Sequence, residues 1–514
     1  MRRPRGRHAA GTGHRFSATD VVAGLTVALI LIPQSLAYAE LAGMPPERGL
    51  YAAAIPVLVA APLASSPYLQ TGPVAITALL TFGALSTRAT PGSDEYVALG
   101  LALALVVGLV RMAIGLTRGG VVAYLMSQPM LMGFLPGAAI LIASSQLPTA
   151  LGAGPPDGHL LEQAAWSLVH PGEWQLGAAA LSAGVLVTVI GGRRLHPLFP
   201  GVLVAAAAGI LISEALGYGG AVIGDIPNGL PPVSLDLPWG SLAGLVVPGA
   251  VIAVVGYAEA SSIARTFAAQ DRERWDSDRE FVSQGAANVG AALSGGFPVG
   301  GSFSRSSLNR LAGGRSRWSG AVTGLAVLAV LPFTGAVEPL PKAVLAATVI
   351  AAVVPLIRPQ RIVALWRPSR PQFLIAATTF AATLISSPHL EWAVLIGVGL
   401  SIVVHLWREL HVETGVWVEG DTVHVRPSGV LWFGAAQSLH DRVLEQLADH
   451  READRLVVDL GGLGRLDMTG AIALRAVMDE ARRNGMAVEV ANVHPRDRRL
   501  VDGVIDTAID PLGA

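Results

Sequence analysis

The chain has 514 residues, of which 52% are hydrophobic and only 14% charged, with a formal net charge of −1. Soluble globular proteins carry about 25% charged residues, so this composition argues against one large soluble enzyme. The near-zero charge gives no global sign of nucleic-acid binding, and the absence of cysteine excludes disulfides, thiolate metal sites and cysteine nucleophiles.

The shortfall in charge is uneven. It falls between residues 21 and 406, and the segment after that is ordinary and charged. The expected organisation is a basic cytoplasmic arm at 1–17, a transmembrane domain at 18–408 and a small soluble domain at 412–514. Arg2, Arg3, Arg5 and Arg7 make the N-terminus basic. A cleaved signal peptide does not fit, because the apolar stretch from Val21 is too long and further spans follow at once. The positive-inside rule places the arm in the cytoplasm.

Apolar runs at 21–38, 97–116, 121–144 and 245–267 are of full crossing length. Shorter ones lie at 50–63, 176–191, 201–212, 281–294, 318–333, 340–356, 373–387 and 393–406. Two more, at 73–85 and near 304–311, are too short to span alone. Against the roughly 20 residues that a crossing helix needs, these runs make about fourteen membrane segments. An even number puts both termini on one side. It also puts the charged stretch 271–280 and the arginines 358, 361, 367 and 370 in the cytoplasm.

A faint repeat links the two halves. Ala37-Tyr38-Ala39-Glu40 ends the first segment, and Gly256-Tyr257-Ala258-Glu259 lies in the eighth. Each precedes one of the undersized segments. Seven spans per half is odd, so the halves are inverted, and paired short segments in inverted halves point to a transporter site.

The first short segment opens on Thr71-Gly72-Pro73-Val74-Ala75 and the second on Gly300-Gly301-Ser302-Phe303-Ser304-Arg305. Two helices starting at mid-membrane would aim free N–H groups and positive dipole ends at one anion, with Arg305 and the serine hydroxyls as further donors. Two ordinary surface loops are the plainer alternative. Glu259 lies deep in an apolar run beside Ser261 and Ser262. It is able to bind Na⁺, carry a proton or pair with Arg305, since acids within spans are costly and seldom idle. Glu40 sits near the end of its span, as either a functional or a water-facing acid. Arg111 reads as structural, near enough to its helix end to snorkel. Lys342 is the sole lysine, and the scattered histidines suggest no metal site.

After 415 the pattern changes to strands at 422–426, 430–433, 456–460 and 487–491 alternating with helices at 435–450 and 471–484. This is a small α/β domain, with Thr469 as a helix N-cap.

The stretches Pro33-Gln34-Ser35-Leu36-Ala37-Tyr38-Ala39, Gly43-Met44-Pro45-Pro46 and Gly49-Leu50-Tyr51-Ala52-Ala53 resemble the signature of the sulfate permease (SulP) family, as do Thr71–Ala75 and Ser304-Arg305. The tail resembles the STAS domain that usually ends these proteins, with Asp467 to Gly470 at its loop. The resemblance covers essentially the whole chain. It implies two inverted seven-helix repeats, a core domain that moves against a gate domain, and a homodimer, while the preference for arginine over the single lysine and the basic arm point to a bacterial plasma membrane with both termini cytoplasmic. It implies an anion held by Gly72, Pro73, Val74, Ala75, Phe303, Ser304 and Arg305, with Gln34 and Tyr38 lining the pocket. Glu259 with Ser262 would take H⁺ or Na⁺, and Glu40 is a further coupling acid. Asp467 and Thr469 would be regulatory, although Met468 replaces a usual serine. No cofactor beyond the coupling ion is implied. Sulfate is the default cargo, with bicarbonate, other small inorganic anions and dicarboxylates as alternatives. An uncoupled exchanger or channel, or a membrane sensor signalling through the tail, are rival functions. No enzyme is expected, because no catalytic constellation is visible.

Overall fold

A computed structural model describes residues 16–504, apart from 125, 197, 228, 234, 235, 410–412 and 451. The four arginines of the N-terminal arm lie outside the described residues. The chain divides into two compact units, Met1–Val398 and Gly399–Ala514.

The first unit is helical. In chain order it holds α1 (Ala18–Leu41), α2 (Pro46–Leu63), β1 (Thr71–Gly72), α3 (Ala75–Leu85), α4 (Asp94–Leu116), α5 (Gln128–Leu151), α6 (Leu160–Val169), α7 (Leu176–Leu186), α8 (Gly192–Leu195) and α9 (Gly201–Leu216). The second half has α10 (Leu242–Asp271), α11 (Ser277–Leu293), β2 (Gly300–Gly301), α12 (Phe303–Leu311), α13 (Trp318–Val330), α14 (Lys342–Val353), α15 (Pro359–Val363), α16 (Arg370–Ile385) and α17 (Leu390–Glu409). Among the described residues, seven helices are long and apolar enough to cross a membrane. Ala75–Leu85, Leu176–Gly191 and Gly201–Leu216 are apolar but shorter.

Helix ends follow local chemistry. The run expected at 121–144 is displaced: α5 begins only at Gln128, after a 3₁₀ turn at Gly120–Tyr124, because Ser127 caps the Met130 N–H and Pro129 tolerates the first turn. A π-helical turn at Val187–Gly191 joins α7 to α8. The short helix α6 lies between the expected segments at 121–144 and 176–191.

Packing sorts the unit into two bundles. One is built from α1–α4 and α10–α13, with α4 on α11 as its most extensive contact. There Gly108, Gly115 and Gly285 leave no room for a Cβ, which lets the two helices touch backbone to backbone. The other bundle groups α5, α6, α7, α9 and α14–α16, and Gly397 of α17 packs against Thr379 of α16. Each bundle therefore takes corresponding stretches from both halves of the sequence.

Arg111 does not snorkel. It is fully buried and donates to the carbonyls of Ala253 (3.0 Å), Ile252 (3.3 Å) and Val299 (2.8 Å). It ties α4 to α10 and to the loop before β2.

The second unit is an α/β domain. Strands β3 (Glu413–Glu419), β4 (Thr422–Leu431), β5 (Arg455–Asp459) and β7 (Ala487–Ala491) lie side by side, and β6 (Leu463–Leu466) pairs with β4. The β3–β4 pair is antiparallel and the other pairings are parallel. Helices α18 (Phe433–Asp449), α19 (Met468–Arg483) and α20 (Arg498–Val504) complete it. The two short strands expected at 422–426 and 430–433 are one continuous β4, since Pro427 and Gly429 are accommodated within the strand. Asp459 is held well below the usual carboxylate range. Burial alone would raise it, but the Gly461 N–H and the Arg426 side chain, whose Nε lies at 2.8 Å, outweigh that.

Candidate functional site

The two short helices start at one place. Thr71 pairs with Gly301 and Gly72 with Gly300 in a two-residue antiparallel ribbon, and α3 and α12 lead away from it. Glycine is needed there: a Cβ on Gly301 would come within 2.8 Å of Ala260 and Leu69, and Gly72 holds φ at 149°. At roughly 1.5 Å per residue, α3 and α12 reach about 16 and 13 Å, half of a bilayer's ~30 Å core. The first three N–H groups of α3 have no intrahelical acceptor, because its ladder begins with Ala78 N–H to Val74 O. In α12 the Ser302 hydroxyl accepts from the Arg305 N–H at 3.5 Å and lies 3.3 Å from the Ser304 hydroxyl.

Arg305 is the feature that stands out. It is 1% exposed, yet none of its three guanidinium nitrogens has a hydrogen-bond partner among the described residues. Nη2 lies against Gly72, 3.4 Å from where a Cβ would sit. No ion pair within 4 Å joins it to Glu259 among the described residues. Instead, Glu259 Oε1 accepts from the Phe303 N–H, at 3.5 Å. Burying an unpaired cation costs several kcal/mol, so a site of this kind is built for an anion that is supplied from outside.

A cavity of about 920 Å³ leads to this point. Of the expected residues, Gln34, Tyr38, Val74, Ala75, Phe303, Ser304, Arg305, Glu259 and Ser262 line it, whereas Gly72, Pro73 and Glu40 do not. Gly72 and Pro73 sit behind the lining as the support of α3. The Gln34 amide oxygen is buried without a partner. Arg265, Arg358 and Arg361, which the sequence did not single out for this role, also line the cavity. With Arg305 they set four arginines against one acid, a field that concentrates anions. Glu40 instead pairs with Lys342, Nζ to Oε1, at 2.9 Å.

Two mouths are conceivable for such a cavity, and chain direction selects one. The lining uses the starts of α5 and α9, the far half of α10 and the end of α14. In an alternating bundle these ends share one side, and that side carries Arg358 and Arg361.

In the tail, Asp467, not Thr469, caps α19: its carboxylate accepts from the Gly470 N–H at 2.7 Å. Thr469 and Met468 are exposed in the first turn.

Paired half-length helices meeting over a buried, unpartnered arginine define a membrane protein of the anion-transporter fold. The sulfate permease family profile matches residues 18–379 and the STAS domain profile residues 416–505. The chain belongs to the sulfate permease family and carries a C-terminal STAS domain. A protein of Mycobacterium tuberculosis described as a probable sulfate transporter is 32% identical, over 93% of this chain and 90% of that one. The sodium-independent sulfate anion transporter of Bos taurus is 28% identical over 91% and 82%. Murine Solute Carrier 26 family member A9, an anion transporter solved in the inward-facing state, shares the fold with a TM-score of 0.86 at 19% identity, covering 98% of this chain and 89% of that one. The transmembrane domain of a cyanobacterial bicarbonate transporter gives 0.64 at 24% identity, covering 74% and 97%.

Proposed function

We propose that the chain is a secondary transporter of small anions that holds its cargo between the N-termini of α3 and α12, with Arg305 as counter-charge. The observation that carries this reading is the buried guanidinium without a hydrogen-bond partner among the described residues, at the end of an arginine-lined cavity. Sulfate is the favoured cargo, supported by the names of the mycobacterial and bovine relatives. The division into two bundles supports an elevator cycle, in which α1–α4 and α10–α13 carry the anion past the other bundle. In this reading the cavity opens to the cytoplasm, both termini lie on that side of a bacterial plasma membrane, and a homodimer is the working unit. Glu259, beside Ser262 in the cavity wall, is the coupling acid. The bovine relative's sodium independence favours H⁺ over Na⁺ there. Thr469, exposed in the first turn of α19, is the regulatory hydroxyl of the tail.

The test is uptake into proteoliposomes of labelled sulfate, bicarbonate and succinate, each under imposed H⁺ or Na⁺ gradients. Sulfate uptake driven by a proton gradient is expected. Folded protein that moves none of the three contradicts the reading.

A further inference from the structure

The ion pair Glu40–Lys342 joins the two bundles. Glu40 ends α1 in one, and Lys342 begins α14 in the other. Each partner stands on a corner braced within its own bundle. On the α1 side, Gly43 N–H bonds Glu40 O at 3.0 Å, Met44 N–H bonds Ala39 O at 2.9 Å, and the Tyr96 hydroxyl reaches Ala42 O at 2.7 Å. On the α14 side, Lys342 N–H bonds Ala221 O at 2.9 Å and Ile223 N–H bonds Leu340 O at 3.0 Å, around a bridge between Val222 and Pro341. The two charged tips therefore meet from rigid supports and need no rearrangement of their own helices.

Their place relative to the cavity matters. The cavity takes its α14 lining from Ala352 and Val353, some ten residues beyond Lys342, or about 15 Å along the helix. Its mouth lies at that far end. On α1 the lining reaches Tyr38, two residues before Glu40, but neither Glu40 nor Lys342 lines the cavity, so the pair bridges the bundles just beyond its inner end, away from Arg358 and Arg361. The side chains keep 17% and 37% of their exposure, so water can take over both charges if they part. A pair only partly withdrawn from water biases a conformation without freezing it.

We propose that Glu40–Lys342 is the lock on the closed side of the cavity, a charge pair that holds the bundles together there and must separate before the anion can leave on that side. Lys342 is accordingly a positioning residue of the transport cycle. This rests on the proposed movement of one bundle past the other. It also gives a reason for the chain's single lysine: a compact ammonium on a flexible stem makes and breaks one contact, where an arginine fork would hold two.

The chain has no cysteine, so introduced thiols report alone. Two arms test the lock. In the first, Glu40→Cys/Lys342→Cys is reconstituted and bridged with a bifunctional thiosulfonate. Sulfate uptake should be lost on bridging and return on reduction, while each single cysteine variant is unaffected by the reagent. Full uptake in the bridged protein would overturn the lock. The second arm needs no transport. Ala346→Cys lies buried one turn inside Lys342, and its labelling by an impermeant maleimide is compared with and without Lys342→Met. The lock predicts labelling faster by about fivefold or more in the double variant, the lower end of common coupling between states. An unchanged rate overturns the lock and leaves the transport reading standing. A parent protein without uptake sinks the transport reading, while the labelling rate still decides whether the pair holds this side shut.

Discussion

The two copies of the Tyr-Ala-Glu repeat have gone separate ways. Tyr38 lines the cavity, but Tyr257 is fully buried, stacked on Phe281 at 3.4 Å with its hydroxyl on Ser277 O at 2.7 Å. The acids are reversed: Glu259 lines the cavity and Glu40 pairs with Lys342 away from it. A repeat can thus preserve backbone placement while each position is assigned anew, one tyrosine and one acid to the site and the others to support. The lesson is that sequence symmetry locates a site better than it distributes roles within it.

Substitutions can break that comparison or sharpen it. The largest contrast is between the acids. Glu259→Gln should lower proton-driven sulfate uptake by roughly 100-fold, the lower end of what a positioned proton-transfer group contributes, while sulfate binding persists. Glu40→Gln should match Lys342→Met, both changing uptake by only a few fold. A Glu40→Gln protein that loses all coupling while Lys342→Met stays normal would make the two acids equivalent after all. The tyrosines come next. Tyr257→Phe should cost about 1 kcal/mol in thermal stability, the usual worth of a buried hydrogen bond, with anion affinity unchanged. Tyr38→Phe should do the reverse, weakening anion affinity a few fold with the melting temperature held. The smallest effect is expected of Arg265→Ala at the cavity wall. Uptake at low anion concentration should fall modestly at low salt and converge with the parent at high salt, as screening removes steering.

Much of this was legible in the sequence. The glycines at the head of each short helix, with Pro73 at the first, mark half-length segments, because only small residues permit the Thr71–Gly301 ribbon. Arg305 announced itself as a charge in an apolar region. What was hidden depends on partners distant in the chain. Arg111 lies only five residues from the end of α4, so a route to water looked cheap. The route is closed by α10 and α11, whose close approach no local pattern reveals. Glu40 reads from sequence as either a functional or a water-facing acid, because its partner Lys342 lies some three hundred residues away. In the tail, Thr469 resembled a cap by residue type, but the chain turns into the helix two residues earlier, at Asp467. Strands β3 and β6 were missed for a similar reason: their short, mixed patterns gain meaning only from pairing with β4.

The central claim is that Arg305 is buried for an anion and not for the fold. Calorimetric sulfate binding and thermal melting of the parent and of Arg305→Met, both in detergent, test it together. Loss of the charge-assisted hydrogen bonds should weaken binding by roughly 10- to 100-fold. Removal of an uncompensated buried cation should leave the anion-free melting temperature equal or higher. An Arg305→Met protein that binds sulfate like the parent, or that melts far lower without anion, would contradict the account.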